Sequence, residues 1–445
     1  MADRRRTSFG HDMLQKHFLL DEKYNNLNHG AFGSTPKSVR DAMRRFQDAS
    51  EAAPDRYIRY EYPGLLDESR TAAASYLNVP VDELVIVANV STAVNAVLRN
   101  LVFQEGDIIV YLDITYGAVL KTIDYIVETT PAEAVKVDFT LPCSEDDILA
   151  AFRDTILAQR GRARLAIFDT IASLPSVRLP FEKMASIARE NGVMTFVDAA
   201  HGMGHLPLDI KSLDPDFLSS NCHKWLYTPR GSAIFYVPMR NQRLMRSSLP
   251  TSHYFESRPR PGVIPKPNPL PPSNKSNFAL QFEFVGTVDN ASLLCIQAAL
   301  EFRRAVCGGE AAIMEYCWDL ARRGGLAAAK ILGTEVMDNE DRTLTRQCSM
   351  VMVRLPIEVA SAEKGTPGLP IEQASGVQAW ICETLVTKYN TFIAIIWYQG
   401  RWWARFSAQI YLDESDFVWG AKVLKEICKI VMTEGIAGTN KSKDD

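Results

Sequence analysis

Apolar residues along the chain recur with two periods, and the two alternate. Leu84-Val85-Ile86-Val87 is a short unbroken apolar run rich in β-branched side chains, the signature of a strand buried on both faces. From Thr92 the spacing changes. Val94, Val97, Leu98, Leu101 and Val102 follow the i, i+3, i+4, i+7, i+8 pattern of a helix with one apolar face. The exchange then repeats, predicting strands at 107–112, 134–137 and 165–168 and a strand ending at Asp198, separated by helices at 118–126, 146–158 and 181–190. Such alternation predicts an α/β fold, a mostly parallel sheet with helices on both faces. Ligands of such sheets bind outside the carboxyl ends of the strands.

Past Phe235 the pattern breaks. Residues 258–276 carry seven prolines and little periodicity, which predicts a long loop. Helices at 292–304 and 311–332, strands at 350–355, 391–397 and 402–408, and a helix at 414–433 then predict a smaller α+β domain. The expected division is an N-terminal arm or lid (1–35), a large domain (36–300), a small C-terminal domain (301–435) and a disordered polar tail (436–445).

Composition narrows the class without naming a function. A chain of 445 residues is long enough for one large core and a second smaller one. With 47% hydrophobic and 23% charged residues it reads as an ordinary globular protein. A formal charge of −4, with no basic stripe interleaved with aromatics, argues against nucleic acid as a partner. Eight cysteines are scattered with no C-x-x-C pair, which argues for free thiols in a reducing compartment and against a metal site. The basic start Met1-Ala2-Asp3-Arg4-Arg5-Arg6 lacks a following apolar stretch, and no apolar run approaches a membrane span. The expected location is the cytoplasm.

Chemistry enters through two strand ends. Val193-Met194-Thr195-Phe196-Val197 delivers Asp198, and Phe217-Leu218-Ser219-Ser220 leads to Lys224 in Asn221-Cys222-His223-Lys224-Trp225. A carboxylate and an amine presented together suit pyridoxal 5′-phosphate (PLP): the lysine holds its aldehyde as a Schiff base, and the acid keeps its pyridine nitrogen protonated. By spacing alone the pair also fits a strand-terminal acid and a surface lysine. The turn Asn89-Val90-Ser91-Thr92 follows a strand and opens a helix, so it is either an anion site or an ordinary helix cap. Arg405, on a strand pattern, can grip a carboxylate with its guanidinium or lie on the surface. Tyr116, His29 and the stretch containing Arg56, Arg59 and Tyr60 are ambiguous in the same way: each fits a pocket wall or an ordinary structural position.

The flanks of these residues resemble the class V aminotransferase and cysteine desulfurase group of PLP enzymes, in its isopenicillin N epimerase-like and ergothioneine C–S lyase-like branch. The matching segments are Leu27 to Gly33, Asn89 to Ala93, Asp198 to His201, Asn221 to Trp225, Thr228 to Gly231, Gly286 to Asp289, and Arg405-Phe406-Ser407, in family order across nearly the whole chain. The resemblance implies PLP fold-type I, the aspartate aminotransferase-like architecture with a seven-stranded-type sheet. It implies Lys224 as the cofactor lysine and Asp198 as the pyridine partner. Ser91, Thr92, the amide of Ala93, Asn221 and His223 become phosphate ligands. Tyr116 becomes the ring-stacking residue and proton relay. His201 stands where many relatives carry a glutamine bonded to the ring's phenolic oxygen. Arg405 binds the substrate carboxylate, and His29 is a lid residue near substrate. Thr287 reaches the phosphate of a neighbouring subunit, which implies a homodimer.

The reaction is left open by these residues, since transamination, C–S lysis, cyclisation and epimerisation begin alike. The chain resembles ergothioneine-pathway C–S lyases and also the aminotransferase-like enzymes of fungal alkaloid pathways such as loline and swainsonine. The stretch Trp397 to Trp402 is aromatic and less basic than in the lyases. Together with His201 it favours an alkaloid-type aminotransferase, and Tyr398, Trp402 and Trp403 are taken as a wall beside Arg405 for a long or basic amino acid. A C–S lyase acting on a cysteine sulfoxide conjugate is the alternative, and a cofactor-free scaffold paralogue is a third reading.

Overall fold

The computed structural model describes residues 7–251, 255, 260–262, 264, 270–360 and 368–436. The apolar runs assemble as β1 (Leu84–Val87), β2 (Ile108–Leu112), β3 (Glu133–Val137), β4 (Ala163–Asp169), β5 (Met194–Asp198), β6 (Phe217–Asn221) and β7 (Ala233–Tyr236). They form one sheet in the order β1-β7-β6-β5-β4-β2-β3. Pairings from β3 through β6 are parallel, while β7 runs antiparallel to both β6 and β1. Because successive strand side chains point to opposite faces, Val85 and Val87 join one core and Leu84 and Ile86 the other. On the first face the helices Val90–Asn100, Gly117–Thr129 and Asn277–Glu283 cover the sheet. On the second lie Glu145–Ala158 and Phe181–Glu190, with Phe152 and Phe181 among the buried residues.

A second sheet is built from β8 (Met350–Arg354), β9 (Ala394–Tyr398) and β10 (Arg401–Ser407), antiparallel in the order β8-β10-β9. Its residues Val351, Val353, Trp402, Ala404 and Phe406 enter a core shared with the helices Glu310–Leu332, Ile371–Tyr389 and Glu414–Glu434. The opposite face, Met350, Met352 and Trp403, packs into the core of the large sheet.

Several expectations shift. The helix expected from Thr92 begins at Val90, because Asn89 caps it by accepting from the Thr92 amide at 2.9 Å. Helix Ile371–Tyr389 has no counterpart in the sequence reading: its fully buried apolar residues Val377, Ile381 and Leu385 make a stripe of one residue per turn, too narrow to stand out. Much of the expected proline-rich loop, and 437–445 of the expected tail, lie outside the described residues. No helix among the described residues is long and apolar enough to cross a membrane.

Candidate active site

Three neighbouring strands end in polar side chains at one edge of the sheet. Asp169 closes β4 and Asp198 closes β5, directly paired in register, and Ser219 of β6 pairs with Asp198 on the other side. Both carboxyl groups are buried. Burial raises the pKa of each above the usual carboxylate range, and the charge of Asp198 raises Asp169 further, while Lys224 pulls both down. Asp198 Oδ1 also accepts from the Ala200 amide at 2.9 Å, which favours its ionised form.

The chain leaves β6 at Asn221 and makes one tight turn, Cys222–Trp225, which presents Lys224. Desolvation lowers the lysine pKa to about 8, with Arg405 lowering it as well and Asp198 and Asp169 opposing. The amine stands 3.2 Å from His201 Nε2, and His201 Nδ1 takes the indole N–H of Trp225 at 3.0 Å. Two glycines let other backbone close in on this turn. A Cβ at Gly33 (φ +67°) would lie 1.7 Å from the His223 carbonyl oxygen, and one at Gly204 (φ +82°) 2.6 Å from that of Trp225.

His29 corrects the sequence reading. It is 1% exposed, and neither ring nitrogen is free for substrate: Nε2–H donates to the Lys224 carbonyl at 2.7 Å, and Nδ1 takes the Tyr411 hydroxyl at 2.9 Å. A carbonyl in so short a helix has no intrahelical partner, and His29 supplies one. Burial lowers the His29 pKa to about 3. The segment around it is fastened at further points, with Arg230 donating to the carbonyls of Phe32 and Gly33 and Thr35 to that of Thr228. It clamps the lysine turn.

The expected phosphate ligands cluster where β1 and β6 end on either side of β7. Val87 and Asn221 both pair with Ala233 of β7, and Asn221 Oδ1 accepts from the Val90 amide at 3.1 Å. Its Nδ2 makes no bond among the described residues, nor does the Ser91 hydroxyl. Thr92 is exposed and its hydroxyl donates to Asn89, while the Ala93 amide is engaged by the Asn89 carbonyl at 3.3 Å. His223 Nδ1–H donates to Ser232 O at 3.0 Å, which leaves Nε2 as an acceptor in the neutral ring. Burial, Lys224 and Arg230 hold His223 at about 4, so it grips an anion only when that anion's own charge draws a proton onto it.

Arg405 lies on β10 and is 3% exposed. One terminal nitrogen donates to Ser173 O at 3.0 Å and the other to Asn28 Oδ1 at 2.7 Å, while Nε is buried with no partner among the described residues. Desolvation lowers its pKa to about 10. An enclosed cation with no carboxylate beside it and an unfilled donor is built for an incoming anion. Tyr116, 49% exposed, flanks helix Gly117–Thr129 and is near enough to bear on the charge of Arg405. The expected aromatic wall is only partly on the Arg405 side. Trp402 points to the opposite face of β10 from Arg405 and packs against Trp397 at 4.9 Å, and the Tyr398 hydroxyl is taken by the Leu141 amide. Trp403 alone of the three tryptophans shares the face of Arg405, two residues away.

Not every expected residue meets Lys224. Thr287 is exposed and makes no contact with this cluster, and Arg56 and Arg59 are held in surface ion pairs with Glu61 and Asp55. Among the described residues one trio, His11, Asp413 and Asp416, has metal-ligand spacing, and its two acids are occupied in capping helix Glu414–Glu434. Three site residues were missed. Asp169 carried the same signal as Asp198, an apolar run ending in an acid. Asn28 and Trp225 stood inside quoted segments without a role.

Set against known proteins, residues 26–262, just over half of the chain, match the family model Aminotransferase class-V. The L-cysteine desulfhydrase-like protein lolT1 of Epichloe uncinata is 38% identical over 444 residues, covering 96% of this chain and 98% of that one. The hercynylcysteine sulfoxide lyase of Schizosaccharomyces pombe is 26% identical, covering 95% of this chain and 98% of that one. Among solved structures, the cystine C–S lyase C-DES bound to its product cysteine persulfide superimposes with a TM-score of 0.70 at 18% identity, covering 92% of this chain and 98% of that one, a likeness of fold.

Proposed function

The chain belongs to the class V aminotransferase family and takes pyridoxal 5′-phosphate as its cofactor, and from that premise we propose that it is a C–S lyase acting on a cysteine-derived amino acid. The observation that carries this reading is the full-length similarity to a cysteine desulfhydrase-like protein and a sulfoxide lyase. It reverses the ordering favoured by the sequence alone. The motive for an aminotransferase was the aromatic, less basic stretch Trp397 to Trp402 together with His201, and its long or basic substrate rested on an aromatic wall beside Arg405, of which Trp402 and Tyr398 are engaged elsewhere.

In this reading Lys224 carries the cofactor, Asp198 and Asp169 lie at the strand ends beside it, and Ser91, Thr92, Asn221 and His223 take the phosphate. Bound there, PLP supplies an electron sink for the pair released at the substrate's α carbon. Arg405 receives the substrate carboxylate through the donors it shares with Ser173 and Asn28. Lys224, whose amine gives up its proton about pH 8, accepts the α proton. The Cα–H bond breaks with its proton to Nζ, the Cβ–S bond breaks with its electron pair to sulfur, and a Cα–Cβ double bond forms. Water then releases ammonium and pyruvate beside a thiol, sulfide or, from a sulfoxide, a sulfenic acid. Incubating the holoenzyme with L-cysteine and with an S-alkylcysteine sulfoxide should give pyruvate and ammonium in equal amounts. Formation of the corresponding keto acid with its sulfur intact would contradict the reading.

We also propose a homodimer in which Thr287 completes the partner's phosphate site, and a division of each chain into a large and a small domain around the two sheets. Thr287 lies exposed beside Val285 and Val288, which are apolar and solvent-facing in the single chain. Mixing Lys224→Ala chains with Thr287→Ala chains should restore part of the activity, because one composite site regains both residues. Heterodimers without activity would contradict the shared site.

A further inference from the structure

The hydrogen bonds through the His201 ring run in one direction. Trp225 Nε1 is a donor only, so at 3.0 Å it must donate to His201 Nδ1. With Nδ1 accepting, the single proton of the neutral ring sits on Nε2, which faces Lys224 Nζ at 3.2 Å. The ring is neutral: burial holds its pKa well below the usual histidine range, and the positive charges of Lys224 and Arg405 act the same way. The indole is itself pinned. It packs 4.2 Å from the His205 ring, whose Nε2 accepts from the Ser349 amide at 2.7 Å, and the Trp225 carbonyl takes the buried Arg303 guanidinium at 2.7 Å.

We propose that Trp225 is a positioning residue that fixes His201 as its Nε2–H tautomer, so that a neutral donor, not an acceptor, faces the nitrogen of Lys224. The groups that bear on that nitrogen are then His201, Arg405, Asp198 and Asp169. A donor facing it withholds a partner from its protonated form and favours the unprotonated one. Without the indole N–H, the imidazole is free to carry its proton on Nδ1 and to turn a lone pair toward Lys224, which stabilises the protonated nitrogen. The inference is the same for a lyase and a transaminase, and rests only on Lys224 carrying the cofactor.

Two measurements test it. In holoenzyme with ¹⁵N-labelled histidine, the His201 signals, assigned by their loss in His201→Gln, should show a protonated Nε2 and an unprotonated Nδ1. In a pH titration of the visible absorption of the lysine-linked cofactor, Trp225→Phe should raise the midpoint by about one pH unit, the worth of one hydrogen bond. In a His201→Phe background the same substitution should add nothing. A protonated Nδ1 in the wild type, an unmoved midpoint in Trp225→Phe, or an equal shift with His201 absent would each overturn the proposal. If Trp225→Phe does not fold, the nitrogen spectrum decides alone. A wild-type protein that binds PLP with no visible band would count against Lys224 as the cofactor lysine and leave the tautomer to be read from the same spectrum.

Discussion

Three ionisable side chains at the strand ends have unequal tasks, and their environments separate them. Lys224 is surrounded by more desolvation than compensating charge, so it is a neutral nucleophile at a pH where an ordinary lysine is not. Capture of PLP by the cofactor-free chain needs the neutral amine. Its rate, followed as the growth of visible absorption, should rise with pH and level off above about 8. A rate still climbing toward about 10, the ordinary lysine value, would contradict this environment. The two acids divide similarly. Asp198 has an amide donor that favours its charge, while Asp169 is raised by burial and by Asp198 itself. Asp169 is therefore the member that holds a proton, and Asp169→Asn, an isostere of the protonated acid, should change kcat by less than about tenfold. In the proposed function Asp198 is the ionised partner of the pyridine nitrogen, so Asp198→Asn should cost roughly 10²–10³ in kcat. Equal losses at the two positions would refute the division.

At the scale of elements, the lysine turn is short and depends on what is pressed against it. Gly33→Ala forces a Cβ into the His223 carbonyl at a left-handed backbone position, and should cost at least about 2 kcal/mol of stability, read by denaturant unfolding, with loss of bound cofactor. Gly64→Ala is the control, because a Cβ there, in helix Tyr62–Leu77, meets nothing within 4 Å and should be neutral or mildly stabilising. A Gly33→Ala variant as stable and as fully loaded as the wild type would show that the clamp is dispensable. This clamp marks where the sequence stops being informative. Strand and helix periods were legible because each is written in neighbouring residues: Phe181–Glu190 and the strand ending at Asp198 lie where the pattern put them. Asp198 and Lys224 were legible for the same reason, each standing at or just past the end of a short apolar run. The direction of His29 was not, since its partners Lys224 and Tyr411 are 195 and 382 positions away. Nor was the face of β10 on which Trp402 lies, which depends on the helices that cover that sheet.

Across the whole molecule, the two sheets meet at one place that concerns chemistry. Arg405 comes from the three-stranded sheet, Ser173 from the loop after β4 and Asn28 from the N-terminal segment, and the three are joined by the guanidinium. In the proposed function, the carboxylate-binding arginine and the reacting lysine thus come from different sheets. The central claim, elimination at that junction and not amino transfer, is tested most directly by the form of the cofactor after L-cysteine is added in modest excess with no keto acid present. The account predicts that the visible absorption of the lysine-linked cofactor returns and that pyruvate exceeds the enzyme many times over. Permanent loss of that absorption, with pyridoxamine 5′-phosphate on the enzyme and no more than one equivalent of product, would contradict it.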